Sequence, residues 1–259
     1  MGAAMYDQFA DDYDRFVDWQ SRLSVELPFI EKILRGAAPA GEPASVLDSA
    51  CGTGMHAIAL AKDGFSVSAA DLSGEMTARA RANAQKAGAV IRFEAAGFGS
   101  LSRTFGTERF HAALCLGNSL PHLLRDVDLA AALADFHACL KPGGILLIQN
   151  RNFDAVMQKR ERFMEPQIDV EGDEEWIFHR FYDFNADGTI LFNIVRLHRG
   201  PNSGWQSDVI STLLKPQLEK DMHKGLSAAG FHKVETFGSL AGDPFDPIGS
   251  GNLVIIAQK

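Results

Sequence analysis

The stretch SVLDSACGTGMHAIALAKDGFSVSAADLS, Ser45 to Ser73, holds the residues whose types and spacing promise chemistry. Gly52-Thr53-Gly54 lies between an apolar run ending at Asp48 and a helical pattern, and a second apolar run ends at Asp71. A glycine loop that opens a helix at the carboxyl edge of a parallel sheet presents backbone N–H groups to a ligand. Glycine is required there because a Cβ would block close approach of the ligand. Asp71 is placed to accept hydrogen bonds from a ribose diol, and an acid there repels a 2′-phosphate. The chemistry on offer is recognition of an adenosine.

Gly52, Gly54 and Ala57 also satisfy the dinucleotide pattern G-x-G-x-x-G/A, so the glycines alone leave the cofactor open. Three features tilt the choice away from a dinucleotide. Asp48 sits just before the glycines, where it would repel a pyrophosphate but welcome an ammonium. About 45 residues of helical character precede the first strand. The chain also closes with helix, strand, long loop, strand, which suggests an antiparallel last strand.

The elements that must position these residues alternate. Residues 5–35 read as helix, with Tyr6, Phe9, Tyr13 and Phe16 at helical spacing and Trp19 continuing the stripe. Residues 36–44 form a Gly/Pro/Ala hinge. Strands are expected at Ser45–Ser49, Phe65–Ala70, Val90–Glu94, His111–Leu116 and Ile145–Gln149. Helices are expected over Gly54–Asp63, from the N-cap Ser73 to Ala87 with Gly88 as stop, and over Asp126–Leu140, closed by Lys141-Pro-Gly-Gly. Apolar strands alternating with helices make a parallel sheet covered on both faces. The rhythm then breaks: Glu174–Phe184 and Thr189–Arg199 join through Asn185-Ala-Asp-Gly as a hairpin, part of an antiparallel insertion of about residues 152–204. A helix at Lys215–Ala229 and strands at His232–Phe237 and Asn252–Gln258 finish the chain.

The expected fold is α/β, a doubly wound, seven-stranded and mostly parallel sheet with its last strand antiparallel. One domain accounts for the 259 residues. It divides into an N-terminal helical lid (1–44), a ligand-binding core (45–151), a β insertion serving as acceptor cap (152–206) and a C-terminal helix with the last two strands (207–259).

A formal charge of −8 argues against a nucleic-acid footprint. The short basic cluster Lys159-Arg160-Glu161-Arg162 reads as a solvated face. Cys51, Cys115 and Cys139 stand in apolar surroundings without metal-ligand spacing, as small buried hydrophobes in a reducing compartment. The eight histidines show no H-x-x-x-H pattern, so no metal site is expected. No apolar run reaches membrane-spanning length, and acids at Asp7, Asp11, Asp12 and Asp14 occupy the place of a signal peptide's basic residues. Tyr6 stands where a myristoylation signal wants Ser or Thr. A cytoplasmic protein acting on a small molecule is expected, without nucleic-acid or membrane partners; a homo-oligomer is left open.

The sequence resembles a known family. VLDSACGTG looks like motif I of class I S-adenosylmethionine-dependent methyltransferases and AADLSGEM like their motif II. FHAALCLGNSLPHL and LKPGGILLIQNRNFD follow as the fourth and fifth strands. The resemblance runs from Tyr6 to about Asp154 and resumes at Leu213. It implies the fold above, with S-adenosylmethionine as cofactor. A narrower likeness is to glycine N-methyltransferase and the bacterial glycine/sarcosine N-methyltransferases, carried by YDQFAD, Ser21-Arg22, CLGNSLPHL and NRNFD.

That likeness implies that Tyr6 lies near the sulfonium methyl and that Arg22 holds the cofactor carboxylate. Asp48, Ala50, Cys51, Gly52, Gly54, Asp71, Leu72, Met76 and Leu116 would surround the cofactor. Gly97-Phe98 would flank the adenine where the family carries an Asn-Trp pair. Asn118 and Arg151 would contact the acceptor. His122, four residues past Asn118, is placed by its position to serve as base or polar wall. The insertion after Asp154 departs from the family pattern. The favoured activity is methylation of the amine of a small amino acid such as glycine or sarcosine. A methyltransferase for an O or C centre of a larger metabolite is the second reading. An NAD-dependent oxidoreductase or a plain nucleotide-binding protein is the third.

Overall fold

The computed structural model describes residues 12–259, so Tyr6, Phe9 and the acids Asp7 and Asp11 lie outside the described residues. Within them the expected long helix is broken. A single turn, α1 (Tyr13–Phe16), is followed by α2 (Trp19–Ala37). The break has a local cause: Asp18 caps α2, its Oδ1 accepting from Ser21 N at 3.1 Å and its Oδ2 from Ser21 Oγ at 2.6 Å.

The alternating part then follows as β1 (Ser45–Asp48), α3 (Met55–Lys62), β2 (Ser66–Asp71), α4 (Gly74–Ala87), β3 (Arg92–Ala95), α5 (Leu101–Phe105), β4 (Phe110–Cys115), α6 (Asp126–Cys139) and β5 (Leu140–Arg151). Caps anticipated at α4 are present: Ser73 Oγ accepts from Met76 N at 3.0 Å, and Gly88 leaves the helix with φ +68°. Lys141-Pro-Gly-Gly does not separate α6 from β5 but lies within the strand. Gly144 is needed there, because a Cβ would meet the Lys141 carbonyl at 2.9 Å and the His111 carbonyl at 3.1 Å.

After α7 (Phe153–Lys159) come β6 (Gln167–Glu171), β7 (Glu174–Phe184), β8 (Ile190–Arg199) and β9 (Gln206–Leu214), which form a separate antiparallel sheet in that order. The hairpin was expected; its two flanking strands were not, and β9 reaches Leu214. The chain ends with α8 (Glu219–Ala228), β10 (His232–Phe237) and β11 (Asn252–Gln258).

The main sheet runs β10-β11-β5-β4-β1-β2-β3. Strands β1 to β5 pair in parallel, and β11 runs antiparallel to both β5 and β10. Two apolar clusters cover its faces. One gathers Leu133, Phe136 and Met222 from α6 and α8; the other gathers Ile30, Leu34, Leu60 and Ala80 from α2, α3 and α4. Strand order reverses between β1 and β4, and that switch point opens the crevice in which doubly wound sheets bind ligands.

Candidate active site

The loop after β1 is pinned from both sides. Ser49 N and Ser49 Oγ donate to the Leu114 carbonyl at 2.9 and 2.7 Å, and Cys51 N donates to the Ala70 carbonyl at 2.9 Å. Gly52, with φ +53°, turns its N–H onto Asp71 Oδ2 at 2.9 Å, while Asp71 Oδ1 accepts from Ser73 N at 2.9 Å. The carboxylate that ends β2 thus braces the glycine loop and stands at the cleft mouth. Gly54 has a different function. It enters α3 at φ +84°, and a Cβ there would lie 2.9 Å from Ala80 Cβ, so it lets α3 pack against α4.

A cavity of about 310 Å³ opens above this loop. Arg22, Asp48, Ala50, Cys51, Gly52 and Asp71 line its floor and one side; Leu72, Met76, Gly97, Phe98, Leu116 and His122 also face it. Gly54, Asn118 and Arg151 do not line it, and Tyr6 falls outside the described residues.

Asp48 is buried, and its Oδ1 has no hydrogen-bond partner among the described residues. Burial, and next the charge of Asp71, push its pKa up to about 7. A buried acid with an unsatisfied oxygen facing a cavity is matched to a cationic ligand group. The ammonium of S-adenosylmethionine fits that demand, and the Gly52 turn beside Asp71 fits a ribose.

Three residues of the opposite wall were not legible in the sequence: Trp19 and Tyr13 of the N-terminal segment, and His56 of α3. Asp14 ties that segment down, accepting from Thr53 Oγ1 at 2.6 Å and from Trp19 Nε1 at 3.0 Å. Glu26 of α2 accepts from Arg22 Nε at 3.0 Å and lies 2.7 Å from His56 Nε2. Burial holds His56 below its ordinary pKa, so the imidazole is neutral and donates from Nε2 to Glu26. The Arg22 guanidinium sits 5.2 Å from the Trp19 ring.

The ends of β4 and β5 form a second cluster. Gly117 and Asn118 both take positive φ, +76° and +66°. The backbone N–H of Asn118 donates to the Gln149 carbonyl at 3.1 Å, and its Oδ1 accepts from Arg151 N at 2.9 Å. Asn118 thereby fixes the backbone from which Arg151 projects. Asp154 is engaged elsewhere, its Oδ2 accepting from Glu219 N at 2.9 Å. Burial raises the pKa of the Tyr182 phenol on β7, against the positive charges of Arg151 and Arg180, which lower it. His122, in the 3₁₀ turn Leu120–His122, is pushed by burial down to about 4. At neutral pH it is a neutral polar wall and a weak base.

Comparisons with known proteins identify the family. Residues 46–144 match the model of a methyltransferase domain. The chain is 31% identical over 253 residues to a glycine/sarcosine N-methyltransferase of Parasynechococcus marenigrum, covering 93% of this chain and 80% of that protein. It is 31% identical to a glycine/sarcosine N-methyltransferase of Halorhodospira halochloris over 90% of this chain and 81% of that one. In fold it is similar to an S-adenosylmethionine-dependent methyltransferase from Clostridium acetobutylicum, with a TM-score of 0.77 at 17% identity over 98% of both chains. The fold and the cleft define a class I S-adenosylmethionine-dependent methyltransferase. Within that class, the chain belongs to the glycine/sarcosine N-methyltransferase family.

Proposed function

We propose that the chain transfers a methyl group from S-adenosylmethionine to the amine of a small amino acid such as glycine or sarcosine. The observation that carries the choice of acceptor is the bond at 2.9 Å from Arg151 N to Asn118 Oδ1, which fixes the backbone that bears a guanidinium at the carboxyl end of β5. A planar guanidinium takes a carboxylate through two charge-assisted bonds. That two relatives covered over most of their length are named for glycine and sarcosine supports the same reading.

In this reading Asp48 takes the cofactor ammonium, Arg22 its carboxylate and Asp71 its ribose, with Gly97 and Phe98 against the adenine. Bound there, S-adenosylmethionine supplies an electrophilic methyl group. The chain's part is to hold the acceptor nitrogen neutral and in line with that methyl, and to keep water out. Arg151 anchors the acceptor carboxylate, Asn118 keeps Arg151 in place, and the neutral His122 and apolar Leu116 wall the approach. Tyr6, on the N-terminal lid, is assigned to the methyl side of the cleft. Residues 152–206 cap the acceptor side through the inward phenol of Tyr182. Among the described residues no helix is long and apolar enough to cross a membrane. The three unpaired, buried cysteines suit a reducing cytoplasm.

The test is methylation of a panel of amino acids, amines, phenols and enolizable acids, read by mass spectrometry. Sarcosine formed from glycine, or dimethylglycine from sarcosine, is the expected product. Turnover confined to a phenol or an enolate would overturn the assignment.

A further inference from the structure

The chain leaves the four-stranded sheet through residues 215–218, between β9 and α8, and this linker is fastened across the ends of β4 and β5. Lys215 N donates to the Pro121 carbonyl at 2.8 Å, and Glu219 N donates to Asp154 Oδ2 at 2.9 Å. Between these two points lies Gln217, only 4% exposed. Its Nε2 donates to the Leu120 carbonyl at 2.9 Å, and its Oε1 accepts from Asn150 Nδ2 at 3.1 Å. A carbonyl can only accept, so the Leu120 bond fixes which end of the Gln217 amide donates, and Gln217 Oε1 in turn fixes the Asn150 amide. That orientation leaves Asn150 Oδ1 buried with no hydrogen-bond partner among the described residues. A polar bridge that carries such a cost is explained by what it places rather than by stability.

Both ends of the bridge sit beside functional residues. Leu120 begins the 3₁₀ turn at which Ser119, His122 and Leu123 line the cleft. Asn150 precedes Arg151 at the end of β5, and alternation along a strand turns the two side chains to opposite faces. Gln217 and Asn150 themselves do not line the cleft. We propose that Gln217 is a positioning residue for methyl transfer: by joining the Leu120–His122 turn to the strand end that bears Arg151, it sets the spacing between the cleft wall and the acceptor's anchor. This role rests on the reading of Arg151 as that anchor. Asn118 ties the Arg151 backbone to the start of the loop after β4. Gln217 ties the far end of the same loop, so the two contacts are not redundant. Leu218, the next residue, packs against Phe153 and Tyr182, which couples the bridge to the cap as well.

Steady-state kinetics of Gln217→Leu and of the volume-keeping Gln217→Met test this role, with glycine and sarcosine as acceptors and Arg151→Ala in parallel. Either Gln217 variant takes the partner from both the Leu120 carbonyl and the Asn150 amide. The acceptor KM should rise about tenfold in each, the scale of a small misplacement of a substrate-holding group. Affinity for S-adenosylhomocysteine should stay within about twofold, because Arg22, Asp48 and Asp71 stand on other elements. A merely structural residue would lower the folded fraction and with it the apparent kcat, and would leave KM unmoved. If KM rises in Arg151→Ala and in neither Gln217 variant, the role of Gln217 falls and the reading of Arg151 stands. If it rises in the Gln217 variants alone, the anchor is not Arg151 and the proposal falls with that reading. Both fall as well if KM rises in none of the three, or if the wild type turns over neither acceptor. Gln217 variants that lose S-adenosylhomocysteine binding would show a structural residue and overturn the proposal.

Discussion

Glu26 Oε2, on the helix that closes the cleft, lies 2.7 Å from His56 Nε2, on the helix that follows the glycine loop. The other oxygen of Glu26 takes Arg22 Nε at 3.0 Å, leaving the outer nitrogens of that guanidinium for a ligand. One carboxylate thus joins the lid to the cofactor loop and aims Arg22. Glu26→Ala is expected to weaken S-adenosylhomocysteine binding roughly tenfold, in line with about 1.5 kcal/mol for a bond to a charged group. Tighter binding in the calorimeter would mean that Glu26 competes with the ligand for Arg22.

The same pair should make the fold acid-labile. Burial pushes Glu26 up, but the His56 bond and the Arg22 charge outweigh it and hold the carboxyl below its usual range. Its stabilisation is present above the unfolded pKa, near 4.5, and is lost as pH falls through the lower folded value. His56, depressed by burial, must stay neutral, so its contribution begins to fade once pH drops below about 6.5. Melting temperature should fall from pH 7 to pH 5, and less steeply in Glu26→Gln/His56→Gln. An equal fall in both proteins would contradict the assignment.

Asp48 carries the opposite sign. Its folded pKa of about 7 lies above the unfolded value of 3.8, so the ligand-free fold loses stability as pH rises between the two. Asp48→Asn cannot ionise and should melt higher than wild type at pH 8, by roughly 2–4 °C per kcal/mol recovered. An ammonium ligand reverses the balance by favouring the carboxylate. Wild-type affinity for S-adenosylhomocysteine should fall by up to about tenfold per pH unit below pH 7. Binding to Asp48→Asn should be weaker at pH 8 and nearly flat with pH. Flat wild-type binding would remove Asp48 from the ammonium site.

The two loop glycines separate under substitution. Gly52→Ala meets only Tyr13 Cε1 at 3.7 Å, so its main effect should be on ligand approach. Gly54→Ala drives a Cβ to 2.9 Å from Ala80 Cβ and strains a left-handed backbone. We expect about 2–4 kcal/mol of lost stability for Gly54→Ala and less for Gly52→Ala, measured by denaturant unfolding. Equal losses would contradict the division of labour.

What the sequence disclosed follows from range. Asp48, Gly52 and Asp71 are marked by strand ends and a turn within a few residues, and that local pattern places them in the cleft. Caps such as Ser73 and Gly88 are equally local. The Glu26–His56 contact joins residues 30 apart on different helices, and nothing in either neighbourhood announces it. Strands β6 and β9 escaped notice because QIDVE and QSDVISTLL mix polar and apolar residues on an edge. Asn118 was legible as a polar residue past a strand, but its grip on Arg151 depends on the β4–β5 pairing.

The most direct test of the amino-acid reading is the acceptor KM of Arg151→Ala. If Arg151 grips the acceptor carboxylate, truncation removes two charge-assisted bonds to the acceptor and none to the cofactor. The KM for glycine or sarcosine should rise tenfold or more, matching about 1.5–3 kcal/mol. S-adenosylhomocysteine affinity should stay within about twofold, and Arg151→Lys should rescue poorly because a point charge cannot reproduce the fork. An unchanged KM in a folded, cofactor-binding Arg151→Ala protein would contradict the account.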